Sequence, residues 1–216
     1  MFPPTGAGAP AFRSMAALQG EQSVWAYCPP GRGRRLFQPG IRDINEFVPS
    51  VIAAMEAPRG PLVVAGVSFG AALAFNICGA LEARGVEVSK LVAICGLSPS
   101  SYVQGQEEWD MDSARNRMVE YGLTPSAVLE LEDADDLFVR PTLDDLLLAE
   151  SYGGAHAPPI TAPIVCVAAI DDELVPPVEA DRWSRATQSE FKVVHVRGGH
   201  YAHVEFGRDE WLNVLA

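Results

Sequence analysis

The sequence predicts an α/β fold, with a mostly parallel central sheet flanked by helices and a helical insertion. Short apolar runs at residues 62–65, 90–95, 163–169 and 191–196 alternate with stretches of helical periodicity. Strands that alternate with helices imply a parallel sheet covered on both faces. Residues 98–152 break this alternation, with three helical patterns and no convincing strand. The length of 216 residues, 48% hydrophobic content and mean hydropathy near zero suit one well-filled core. We therefore expect a single domain over residues 1–216, with the insertion at about 98–155.

Residues 1–8, MFPPTGAG, read as a Pro/Gly-rich loop where a fold of this class usually shows a whole strand, so the leading strand is expected to be missing or vestigial. Residues 11–18 read as a short helix, and 23–28, SVWAYC, as a strand rich in β-formers. The loop PPGRGRR follows. Asp43 with Glu46 three residues on resembles a capping box that opens a helix toward Met55, which Pro49 should bend or delay.

The organising stretch runs from 61 to 84, where an apolar run meets Gly66-Val67-Ser68-Phe69-Gly70 and a long Ala/Leu/Phe helix follows. Residues 62–81 carry no charge and are long enough for a membrane span, but glycines at 66, 70 and 79 with Ser68 and Asn76 favour strand, turn and helix. In the insertion, Ala114, Met118 and Tyr121 share a helical face. Thr124-Pro125 reads as a cap followed by proline at the first helical position, and Thr142 as the start of a third helix. A strand at 163–169, a helix at 178–187, a strand at 191–196 and a helix at 210–216 complete the pattern.

The net charge of −12 is concentrated: between Glu107 and Glu150 lie 13 of the 28 acids and 3 of the 16 bases. These acids lack ligand spacing and alternate with core-type leucines, so they read as a solvated outer face, not a metal site. A chain so acidic is not expected to bind nucleic acid. The four cysteines, 28, 78, 95 and 166, show no metal spacing and are expected to be buried free thiols. Prolines and glycines occupy the first twenty residues where a signal peptide has its apolar core, so a cytoplasmic protein with no membrane partner is expected.

Gly-x-Ser-x-Gly between strand and helix has the form of the nucleophile elbow of α/β hydrolases, which makes Ser68 the candidate nucleophile. A serine hydroxyl needs a histidine base oriented by a carboxylate, and in this fold the acid and the histidine follow the serine in that order. Asp172, with Asp171 as the alternative, lies in the turn after the strand at 163–169. His200 follows the glycine turn after the strand at 191–196, with His203 a second histidine nearby; His195, inside a strand, and His156, in a loop, read as ordinary residues. An oxyanion hole would take one N–H from Phe69 and one from the early loop PPTGAG.

Phe2 to Gly8, Pro30-Gly31-Arg32-Gly33-Arg34-Arg35, the Ser68 motif, Leu123-Thr124-Pro125 with Val128-Leu129, residues 146–152, Asp172-Glu173-Leu174-Val175 and Gly198-Gly199-His200-Tyr201 fall in the order and rough spacing of type II thioesterases. The chain resembles these stand-alone editing hydrolases of polyketide and nonribosomal peptide synthesis over nearly its whole length. The resemblance implies an α/β-hydrolase fold, a triad of Ser68, Asp172 and His200, and Thr5 and Phe69 as oxyanion N–H donors. It also implies a lid formed by the insertion, a carrier protein bearing a phosphopantetheine thioester as partner, and no cofactor or metal. The family usually has His and Ala where Pro4 and Thr5 stand, and often His and Met where Val67 and Phe69 stand; a hole built from backbone N–H groups should survive these changes. Arg32, Arg34, Arg35 and Arg42 form the one basic cluster and are expected to meet the phosphate or an acidic carrier. Rival readings are a product-releasing or cyclising thioesterase of a megasynthase, a general carboxylesterase, and a carrier-binding scaffold with a dead site.

Overall fold

The computed structural model describes residues 1–18, 23–56, 60–154 and 157–215. Four strands, β1 (Leu62–Val67), β2 (Val88–Ile94), β3 (Ile164–Ala169) and β4 (Phe191–Val196), lie side by side in chain order with every pair parallel. The α-helices are α1 (Ile44–Ala54), α2 (Phe69–Glu82), α3 (Met111–Glu120), α4 (Ser126–Leu129), α5 (Arg140–Ser151) and α6 (Arg208–Leu215). Successive strand residues point to opposite faces. Val64, Leu91, Ala93, Ile164, Cys166 and Ala168 accordingly pack in the core under α1, α2 and the 3-10 turns of Pro177–Ala186. Ala65, Val67, Val92, Ile94, Val167 and Ala169 pack on the other face, under α6 and the kinked 3-10 segment Ala9–Leu18. This is the expected parallel sheet between two helical layers.

The leading strand is vestigial: Phe2 alone bridges Gly66 in parallel, its N–H on Ala65 O at 2.8 Å and its O accepting Val67 N–H at 3.1 Å. Pro3 and Pro4 lack the N–H that a longer ladder needs. That also decides residues 23–28, where the expected strand is not found among the described residues. Tyr27 N–H reaches Met1 O at 2.9 Å, but the neighbouring edge is too short to build a ladder on.

α1 opens at Asp43 as expected, but without the reciprocal Glu46 bond of a capping box: the Asp43 carboxylate accepts the Asn45 N–H at 2.8 Å, and the helix continues through Pro49 to Ala54. The uncharged run 62–81 divides into β1 and α2, and no helix of the described residues is long and apolar enough to cross a membrane.

Between β2 and β3 the chain is helical, and Ala114, Met118, Leu129, Val139 and Leu143 give it a small core of its own. Two details differ from expectation. Pro125 is the N-cap of α4 and not its first helical residue. Thr142 lies inside α5, where its hydroxyl donates back to Phe138 O at 2.8 Å, because the wide helical turn Asp135–Val139 runs directly into that helix. All four cysteines are free; 78, 95 and 166 are buried and Cys28 is half-buried. His156 and Ala216 lie outside the described residues.

Candidate active site

The elbow between β1 and α2 is forced into shape by close backbone approaches. Ser68 has φ 54 and ψ −128, a region that L residues other than glycine seldom occupy. A Cβ on Gly66 would stand 2.0 Å from Gly70 O, and one on Gly70 would stand 2.4 Å from Phe2 O. Both motif glycines are thus required by space. Ser68 occupies the N-cap position of α2, yet its side chain makes no capping bond, which leaves the hydroxyl uncommitted. The unpaired N–H groups of the first helical turn, Phe69's among them, face the same end.

Asp172 follows β3 and His200 follows β4. Since all four strands are parallel, both lie at the same edge of the sheet as Ser68, which follows β1. The Asp172 carboxylate is buried, its Oδ1 accepting the N–H groups of Leu174 and Val175 at 2.9 Å each and its Oδ2 meeting His200 Nδ1 at 2.9 Å. Asp171 is exposed, with its N–H on Gly198 O. Geometry therefore selects Asp172 of the two. With Nδ1 engaged, Nε2 of the buried His200 ring is the free nitrogen. No hydrogen bond joins it to Ser68 Oγ among the described residues; such bonds are commonly long until substrate is bound.

His203 is fully buried against Phe12, with ring centroids 6.2 Å apart. Burial, and secondarily the charge of His200, push its imidazole down to about 4, so it is neutral at physiological pH. His195 is exposed on β4.

The early loop forms a turn closed by Ala7 N–H on Pro4 O at 3.0 Å, with Gly6 at φ 74. Pro3 and Pro4 have no N–H, and Gly6 N–H is taken by Asp145 Oδ2 at 2.8 Å. Among residues 3–7 the N–H of Thr5 is thus the one left unengaged. A shallow cleft opens beside it, lined by Thr5, Tyr27, Phe47, Phe69, Leu73 and Leu148 among others. Phe69 also packs on Tyr102 and Tyr152, at centroid distances of 5.6 and 6.5 Å, which joins the helical segment to the elbow.

The arginines do not form the expected free cluster. Arg32 is buried in an ion pair with Asp145 at 2.8 Å. Arg42 meets Asp144 at 2.6 Å, and Arg35 donates to Gln38 and to Cys28 O. Arg34 is the exposed one of the loop's three. Asp145, read from the sequence as part of a solvated acidic face, instead faces the early loop; its spacing on α5 shows a face but not what that face meets.

A family model described as a thioesterase domain matches residues 1–213. The chain belongs to the thioesterase family. It is 28% identical over 202 residues to the thioesterase PikA5 of Streptomyces venezuelae, covering 86% of this chain and 66% of that protein. It is 34% identical over 136 residues to the atromentin synthetase nps3 of Serpula lacrymans var. lacrymans, covering 62% of this chain but 13% of that protein. The chain thus spans less than two thirds of the length of these curated relatives. Among solved structures it is similar to the type II thioesterase BorB from the borrelidin biosynthetic cluster, with a TM-score of 0.81, 27% identity, and coverage of 99% of this chain and 88% of that one. The likeness to type II thioesterases first carried by short motifs therefore extends to the whole fold, and the thioesterase sheet carries the Ser68 elbow and the Asp172–His200 pair at one edge.

Proposed function

We propose that this thioesterase removes acyl groups from the phosphopantetheine arm of an acyl or peptidyl carrier protein in the cytoplasm, as an editing or release step of polyketide or nonribosomal peptide synthesis. Ser68 Oγ attacks the thioester carbonyl and passes its proton to His200 Nε2, while the buried Asp172 holds the ring by Nδ1. The N–H groups of Thr5 and Phe69 receive the developing oxyanion. The C–S bond then breaks, the leaving sulfur takes the proton from His200, and water activated by the same imidazole hydrolyses the acyl-serine. The helical segment between β2 and β3 acts as the lid over the acyl group, and Arg34 is the loop cation left to meet a carrier. The observation that supports this reading most is the buried Asp172–His200 pair on the sheet edge of a strained, uncapped serine, in a chain of the thioesterase family.

The match to part of a much longer synthetase favours a second reading, a product-releasing or cyclising domain of a megasynthase. Intact-mass analysis of carrier proteins loaded with several acyl groups separates the two. Free carrier with free acid is expected from the wild-type chain, whereas a cyclic product supports the second reading. Ser68→Ala should abolish both acyl release and labelling by a fluorophosphonate; a variant that releases acyl groups at the wild-type rate refutes the role of Ser68.

A further inference from the structure

Arg32 and Asp145 stand 113 residues apart in the chain and meet behind the oxyanion loop. Nη1 of Arg32 reaches Asp145 Oδ2 and Nη2 reaches Oδ1, each at 2.8 Å, the parallel two-bond fit of guanidinium to carboxylate. The same two nitrogens donate to Ala7 O at 2.7 Å and to Pro141 O at 2.8 Å. Asp145 Oδ2 also takes the Gly6 N–H at 2.8 Å. The turn holding Thr5 is thereby gripped twice, at its Gly6 donor by an anion of α5 and at its Ala7 acceptor by a cation of the loop before α1. It also lies directly on the helix, since a Cβ on Gly6 would fall 2.6 Å from Thr142 Oγ1.

A desolvated ion pair adds little net stability over apolar packing of the same volume, so stability does not account for this arrangement. Geometry does. Without the pair, one backbone bond, Ala7 N–H to Pro4 O, would hold a turn whose glycine is free to change its φ. We propose that Arg32 and Asp145 are positioning residues that aim the Thr5 N–H into the oxyanion hole and tie that aim to the seating of α5. The inference rests on the reading of Ser68 and Thr5 given above.

The test is hydrolysis of a small acyl N-acetylcysteamine thioester, with the working sites counted by fluorophosphonate titration. In the double variant Arg32→Met with Asp145→Leu the pair gives way to apolar side chains of comparable length, and no buried charge is stranded. A misplaced or missing oxyanion donor acts on the transition state, so kcat per titrated site should fall about 10- to 100-fold with KM within about threefold of wild type. Affinity for a trifluoromethyl ketone, whose Ser68 adduct places an oxyanion in the hole, should fall by a similar factor. Arg32→Lys keeps the charge without the two-bond fit and should give an intermediate kcat. A double variant that folds and turns over within twofold of wild type per titrated site overturns the proposal. Should the double variant not fold, the same criterion applied to Arg32→Lys and Asp145→Asn decides. A wild-type chain that neither labels at Ser68 nor cleaves the thioester removes the functional reading and this inference together, whereas an active wild type matched by its variants removes this inference alone.

Discussion

Ser68 stands at a positive φ that costs of order 1–3 kcal/mol for a residue with a side chain, and the chain tolerates it because the surroundings leave no alternative. Gly66 and Gly70 are part of that constraint. Replacing either by alanine puts a Cβ 2.0 or 2.4 Å from a backbone oxygen, so Gly66→Ala and Gly70→Ala should each destabilise the fold by about 3 kcal/mol or more and suppress phosphonate labelling. Gly60→Ala, which meets nothing within 4 Å, should change the urea midpoint by less than about 0.5 kcal/mol equivalent. Equal effects at all three positions would show that the motif glycines are not held by space. The glycines were legible because their function is local, two residues either side of the serine. The choice between Asp171 and Asp172 was not, because adjacent residues share one sequence environment and are separated by burial and by which of them meets His200.

Elements were readable where their cause is local and not where it depends on a neighbour. β1, β3 and β4 fall close to the apolar runs that predict them, and α1 begins at its Asp43 cap. Residues 23–28 have the composition of a strand but no ladder, since a strand needs an edge to pair with and Pro3 and Pro4 end that edge after Phe2. Pro49 illustrates the converse: the packing of Phe47 and Val51 carries α1 through a residue that cannot donate the helical bond. Because Pro49 is exposed, Pro49→Ala should restore that bond at no packing loss and raise stability by about 1–3 kcal/mol, read as a higher urea midpoint. An unchanged or lower midpoint would mean that proline's restriction of the unfolded chain outweighs the missing bond.

Across the whole molecule, the buried His203 is one group through which folding stability responds to pH. Its folded imidazole titrates near 4, against about 6.5 when unfolded, so between those values the unfolded chain holds a proton that the folded chain refuses. The stability due to this group is therefore fully present above about pH 6.5, is lost as pH falls through the window, and changes no further below about 4. The difference corresponds to on the order of 3 kcal/mol. His203→Leu should flatten the fall in urea midpoint between pH 7 and pH 4 by roughly that amount; a variant whose midpoint falls as steeply as wild type would assign the pH response to other groups. The sequence showed His203 only as a second histidine near His200, because its burial by Phe12 joins residues almost two hundred positions apart.

What the sequence determined by itself is whatever a few consecutive residues can enforce: the strand and helix order, the sharp turn at Ser68, and the glycine turn that presents His200. Sterics and side-chain periodicity act over that range, and no distant partner is needed to express them. The tertiary structure alone decided which aspartate faces His200, which N–H of the early loop stays free, and that Arg32 turns inward to Asp145. Each of those outcomes depends on burial and on partners that only folding brings within hydrogen-bonding distance, and no local pattern carries that information.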